Sequence, residues 1–323
     1  MYLNLKKRNF YHGLMFHHFH DKKKHIKTQG SISSKDFIKI INFVGKENIL
    51  DPTDFIQKVK NKTIKKNHFC ITFDDNLSCQ FDIALPILEK LNLKAFFFVY
   101  TNSLSKNPDL LEVFRYFRHK YYKNINLFYK DFNNSANKRF NKKDIKLFYK
   151  KNLEEMNIWK KKFKIYSIND IKFRFLRDKF LGREKYKKIM LEMFKRNNFN
   201  YKKKLKDLVM SKEQLIKIHK LGHEIGLHSF SHPTKLSILN YKKQFLEYKK
   251  NLNDLKNCLK VFKIRSMSHP NGSYTNDTLK ILKKLKIEIG FKQNMMADSK
   301  KKINNSVYEI ARNDHANIMG LLK

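Results

Sequence analysis

The chain has 323 residues, 41% of them hydrophobic, with 70 Lys and Arg against 29 Asp and Glu for a formal net charge of +41. That length can bury a real core and suits either one large domain with an insertion or two domains. Lysine outnumbers arginine about six to one, and Asn, Ile, Phe and Tyr swell with it as in an AT-rich coding sequence, so the charge argues for no specific nucleic-acid partner.

Lys6, Lys7 and Arg8 lead to Asn9 and a histidine cluster, not to an apolar stretch with a cleavage site, and no apolar run approaches a membrane span. A cytoplasmic address is the expectation. Residues 13–16 read as a strand delivering His17, His18 and His20, a cluster that either borders an active centre or is solvated. Ser33 or Ser34 caps a helix through Val44, and Asp51-Pro52-Thr53-Asp54 starts another. Residues 68–73 form a short buried strand that ends in Asp74-Asp75-Asn76. Alone, this pair reads more readily as a strand ending in a solvated turn. A helix bearing Phe81, Leu85, Leu88 and Leu91 and a strand at 94–100 complete a right-handed βαβ unit. Cys70, Cys79 and Cys258 are odd in number and follow no metal spacing, which suggests reduced thiols with Cys70 in the core.

From about 105 to 210 the pattern is helical but without motifs. Its Phe114, Phe117, Leu127, Phe128, Phe148, Trp159 and Phe163 are too many to leave in water, so this block is a folded insertion whose aromatics serve as core or as a substrate platform. Regular α/β alternation resumes at Ser211, where Ser-Lys-Glu-Gln resembles a capping box, and His219 and His223 take a structural role. The strand at 224–227 runs into His228-Ser229-Phe230-Ser231-His232, whose imidazoles share a face if the segment is one helical turn. An amphipathic helix bearing Phe245 to Leu259 follows, then strands at 264–267, 287–291 and 307–311. Both acidic and histidine motifs fall at carboxyl ends of strands, where α/β folds gather their ligands. One carboxylate with two imidazoles leaves positions open on a metal, which suits catalysis.

Thr72-Phe73-Asp74-Asp75-Asn76 and the His228–His232 stretch resemble the first two motifs of the polysaccharide deacetylase (NodB-homology) family of carbohydrate esterases. Ser268-His269-Pro270-Asn271-Gly272-Ser273-Tyr274 is similar to the third, although only approximately, and Asn76 stands where the family usually has Gly. The resemblance implies a distorted (β/α)7 barrel of NodB type, here at 1–104 and 211–323. The mostly helical block at 105–210 departs from the family, whose second motif ordinarily arrives much sooner, and reads as an insertion. The resemblance also implies a metal-dependent deacetylase. Carried over residue by residue, Asp75, His228 and His232 would bind a divalent ion, with zinc favoured, and Asp74 would be the general base. A backbone N–H near Tyr274 or Asn271 would meet the oxyanion, His315 would protonate the leaving amine, and Arg312 or Arg265 would orient Asp74. The substrate would be an acetylated amino sugar, most simply N-acetylated, in a surface polysaccharide or in a nucleotide- or lipid-linked precursor, with the insertion shaping substrate choice. The rival readings are a catalytically weak or inactive glycan-binding barrel and, behind it, a basic nucleic-acid-binding protein. The oligomeric state stays open.

Overall fold

The computed structural model describes residues 10–162, 166–293 and 304–322; Lys6 to Asn9 and Phe163, used in the sequence reading, lie outside them. In chain order the elements are β1 (His12–Phe16), α1 (Ser34–Val44), α2 (Pro52–Lys60), β2 (Phe69–Asp74), α3 (Leu85–Lys90) and β3 (Ala95–Val99). Seven helices follow: α4 (Leu111–Lys120), α5 (Ile125–Arg139), α6 (Lys142–Lys151), α7 (Leu153–Lys162), α8 (Ile168–Phe175), α9 (Gly182–Arg196) and α10 (Tyr201–Leu208). The remainder is α11 (Lys212–Lys220), β4 (Glu224–Leu227), α12 (Tyr241–Leu259), β5 (Ser266–Ser268), α13 (Asn276–Lys284), β6 (Ile289–Phe291), β7 (Arg312–Asp314) and α14 (His315–Leu321). The chain divides into two compact units, Met1–Asp109 with Asp207–Lys323, and Leu110–Lys206. No helix among the described residues is long and apolar enough to cross a membrane.

The first unit is a seven-stranded parallel sheet in the order β6-β5-β4-β3-β2-β1-β7, curled into a nearly closed barrel. Its two edges are drawn together just before β7, where Ile310 bridges to Phe291 and exchanges main-chain hydrogen bonds with Gly290 and Lys292. The last strand was expected at 307–311. That segment instead makes the bridge to β6, and the strand paired with β1 begins at Arg312. Strand alternation sorts the core. Phe69, Ile71 and Phe73 pack outward against the helices, whereas Cys70 joins Phe96, Phe98, Ile289 and Phe291 inside. By the same period Thr72 and Asp74 face inward with Cys70. Helix ends follow the local signals: Ser33 with Asp36 and Ser211 with Gln214 form capping boxes. His223 is structural, accepting from the Ala95 N–H and facing Glu89 at 3.2 Å.

Gly13 on β1 has a specific task. A Cβ there would stand 3.0 Å from Cγ of Arg312 and 3.1 Å from Cγ2 of Thr72, so only glycine lets the arginine side chain cross the barrel interior. Gly13→Ala should destabilise the chain by about 1–3 kcal/mol through overpacking, read as a lower urea midpoint at unchanged slope. An unchanged midpoint would mean that Arg312 can take another path.

The second unit is helical. Phe114, Phe117 and Phe128 are buried in its interior, and Phe148 and Trp159 are half-buried beside Met156, Ile171 and Phe175, so of the aromatics weighed as a platform these are core. Leu127 is exposed.

Candidate active and metal site

Asp74 ends β2 and Asp75 opens a tight reversal in which Asp75 and Asn76 have φ of 79° and 56°. Asn is among the few side chains that tolerate this region, and here it also works: buried Asn76 donates to Ser103 Oγ (2.9 Å) and to the Met210 carbonyl (3.3 Å). A glycine would turn the chain but leave those acceptors unmet. The turn aims two adjacent carboxylates at different partners.

Asp74, 2% exposed, is gripped in a fork by Arg312, Nη1 to Oδ1 at 2.7 Å and Nη2 to Oδ2 at 2.8 Å. Burial pushes the carboxyl up, but Arg312 first and His228 second more than offset it, and the net pKa lies below the ordinary value. Arg312 is itself 1% exposed, so the pair is fully desolvated and each member depends on the other. Arg265, the other candidate for this task, instead pairs with Glu224 at 2.8 Å.

Asp75 Oδ1 meets His232 Nε2 at 3.3 Å and His228 Nε2 at 3.4 Å, and one ligand atom from each of the three residues falls within 4.8 Å of the others. The histidines are not presented by a helical turn as expected. Ser229 (φ 59°) and His232 (φ 48°) are left-handed, so a looped segment doubles back to bring the rings to 4.9 Å. Helix α12 holds both ends of that loop: Asn251 Oδ1 accepts from the His228 N–H (2.9 Å), and Glu247 accepts from the main chain and hydroxyl of Ser231. Asn251 also donates to the Val99 carbonyl, stitching the loop to β3.

The His228 ring donates through Nδ1 to the Ser268 carbonyl at 2.9 Å, which leaves Nε2 as a lone pair facing Asp75. The beginning of the third motif therefore fixes a tautomer. Asp75 Oδ1 is sealed from solvent and has no hydrogen-bond partner. A buried carboxylate oxygen facing an imidazole lone pair is repulsive without a positive charge between them, and this donor set fits a divalent cation. Burial raises the Asp75 pKa, yet His228 and His232, with both imidazoles protonated, hold it well below the carboxylate range, a positive charge standing where the cation would.

His17, just past β1, brings Nε2 to 3.7 Å from Asp74 and 4.0 Å from Asp75, with its side chain a quarter exposed. The other two of its cluster go elsewhere, His18 stacking on His17 and His20 bonding Ser31. His315, the expected proton donor, opens α14 with Nε2 donating to the Gly30 carbonyl (2.9 Å) and its ring stacked on Phe16. Tyr274 stacks on His269 at 4.3 Å and gives its hydroxyl to Glu309 at 2.8 Å. Neither side chain pairs with Asp74 or Asp75 in the described contacts. Sequence reasoning missed Asn251 and did not separate His17 from its neighbours. Both had a signal: Asn251 lies three residues after Tyr248 and four before Leu255, on the apolar stripe of α12, and His17 continues the inward alternation of Gly13 and Met15.

The family profile described as "Polysaccharide deacetylase" matches residues 61–121 and 186–290, which include the Asp pair, the His motif and the third motif. Among solved structures the chain is similar to the Streptococcus pyogenes deacetylase PplD in complex with acetate, at 14% identity over 97% of both chains with a TM-score of 0.54. It is similar to IcaB from Ammonifex degensii at 13% identity, over 94% of this chain and 91% of that one, with a TM-score of 0.52. A de-N-acetylase from Aggregatibacter actinomycetemcomitans gives 12% identity over 97% and 99%, also at 0.52. No curated protein matches the sequence.

Proposed function

Since the chain belongs to the polysaccharide deacetylase family, hydrolases of non-peptide carbon–nitrogen bonds, we propose that it is a metal-dependent de-N-acetylase acting on an amino sugar of a surface polysaccharide or of its precursor. The observation that carries this reading is the division of labour between two adjacent carboxylates, one locked to Arg312 and the other facing two imidazoles. The family is generally metal-dependent, and Asp75, His228 and His232 would hold the ion, for which two nitrogens and one oxygen favour zinc. Once bound, such an ion polarises the acetyl carbonyl and lowers the pKa of water.

The remaining work falls to the chain's own side chains. Asp74, kept ionised by Arg312, accepts the proton of the attacking water, and the rigid fork leaves the carboxylate one orientation. His17, beside both carboxylates and reaching solvent, returns a proton to the departing amine, which moves this role from His315 to the end of β1. The oxyanion contact falls to a main-chain N–H near Asn271 or Tyr274. The proposed address remains the cytoplasm, which fits a nucleotide- or lipid-linked precursor, and cell fractionation checks it.

Purified protein should carry close to one equivalent of metal and release acetate from an N-acetylglucosamine oligomer, and a chelator should stop it. Undiminished release from metal-free protein would end this reading. Within it, His17→Gln should lower turnover about 100- to 10,000-fold while metal content stays constant, and His315→Gln should leave turnover within a few-fold. The reverse pattern would restore His315 as the donor.

A further inference from the structure

Seven of the chain's ten arginines lie in the Leu110–Lys206 unit, less than a third of its length. Codon usage that inflates lysine everywhere does not gather arginine in one place. Several face carboxylates: Arg139 with Glu192, Arg196 with Asp131, Arg174 with Asp170 and Arg177 with Asp178. Arg118 does not. It is 9% exposed, its Nε is sealed from solvent with no partner, and its guanidinium rests 5.5 Å from the centre of the Phe173 ring without an ion pair among the described residues. Arg177 lies 5.6 Å from the same ring, so two cations share Phe173, and Arg174 is close enough to act on Arg118. Burial, with Arg174 and Arg177 beside it, pulls Arg118 down to about 10, which still leaves it charged at neutral pH.

A guanidinium withdrawn from water with no acceptor is costly, and like charges next to it add to the cost. Of the three arginines here, Arg174 pairs with Asp170 and Arg177 with Asp178, which leaves the positive charge of Arg118 uncompensated. Asp170 engages only Nε of Arg174, so that residue's terminal nitrogens remain as donors. Arg174 and Arg177 are about a quarter exposed, so solvent reaches the cluster through these two side chains.

We propose that Arg118, Arg174 and Arg177 form an oxyanion site for a phosphoryl group, with Arg118 as its floor. A phosphoryl group offers several terminal oxygens to guanidinium forks arriving from different helices, whereas a planar carboxylate satisfies one fork at a time. The site is independent of the deacetylase centre and stands or falls without it.

The test is thermal unfolding of the full chain in sodium phosphate, in glucosamine 1-phosphate and in sodium chloride at matched ionic strength. Phosphate should raise the midpoint by about 2–4 °C over chloride once well above its dissociation constant. A larger rise with the sugar phosphate marks a phosphorylated sugar as the ligand, and an equal rise marks the phosphoryl group alone. Arg118→Met should be at least as stable as the parent in chloride, because it removes an unpaired buried charge, and should lose the phosphate response. Arg118→Lys keeps the charge without the fork and should need at least tenfold more phosphate for the same shift. The proposal is overturned if the parent does not respond, or if Arg118→Met, or Arg118→Lys should the methionine variant not fold, responds as the parent does.

Discussion

Asp75→Ala should yield a folded protein with an empty metal site and no acetate release, whereas Asp74→Asn should keep its metal and lose about 100- to 10,000-fold in turnover. The residues are adjacent in the chain, but the left-handed turn at Asp75 points their carboxylates to different partners. Removing Asp75 leaves His228 and His232 without the third ligand atom of the cluster. An amide at position 74 still offers Arg312 one oxygen acceptor but cannot take a proton from water. Metal analysis beside acetate release separates the two. Metal retained at Asp75→Ala and lost at Asp74→Asn would mean that the roles are exchanged.

Arg312→Met should cost about 3–5 kcal/mol of stability and most of the activity. The thioether fills part of the volume but leaves a carboxylate at 2% exposure with no cation against it. The cost therefore comes from stranding Asp74 more than from losing a contact, and a second change should recover part of it. Arg312→Met combined with Asp74→Asn should be less destabilised than the sum of the two single variants, because the double variant buries no unpaired charge. Additive losses in urea unfolding would show that the pair is uncoupled and that Arg312 acts only as filling in the barrel interior.

The barrel and the Asp75, His228 and His232 cluster were legible where chemistry coincided with short-range pattern. An apolar run ending in Asp74-Asp75 and the strand running into His228 both place polar groups past a strand end, and the structure brings them together. The placement of β7 was not legible, because apolar periodicity marked 307–311 while barrel closure assigned that segment to bridge β6 and gave the pairing with β1 to Arg312–Asp314. That shift is what puts Arg312 inside the barrel, and a choice between Arg265 and Arg312 could not be made without it. The shape of the His motif was also hidden. A spacing of four suggests a helical turn, but tethers from Glu247 and Asn251 on α12 fold it as a loop, and such tethers are tertiary.

The guanidinium that neutralises Asp74 lies 238 residues further along the chain. During synthesis at about 5–20 residues per second, the ribosome makes the carboxylate tens of seconds before its counter-ion. Until Arg312 emerges, Asp74 has to stay hydrated, so the interior beside β2 cannot dry and the flank of β1 that β7 will occupy exposes unpaired main-chain groups. Nascent chains stalled short of position 312 should therefore be protease-sensitive around β1 and β2 and prone to associate through that open flank, and release of the C-terminal segment should end both behaviours in a single step.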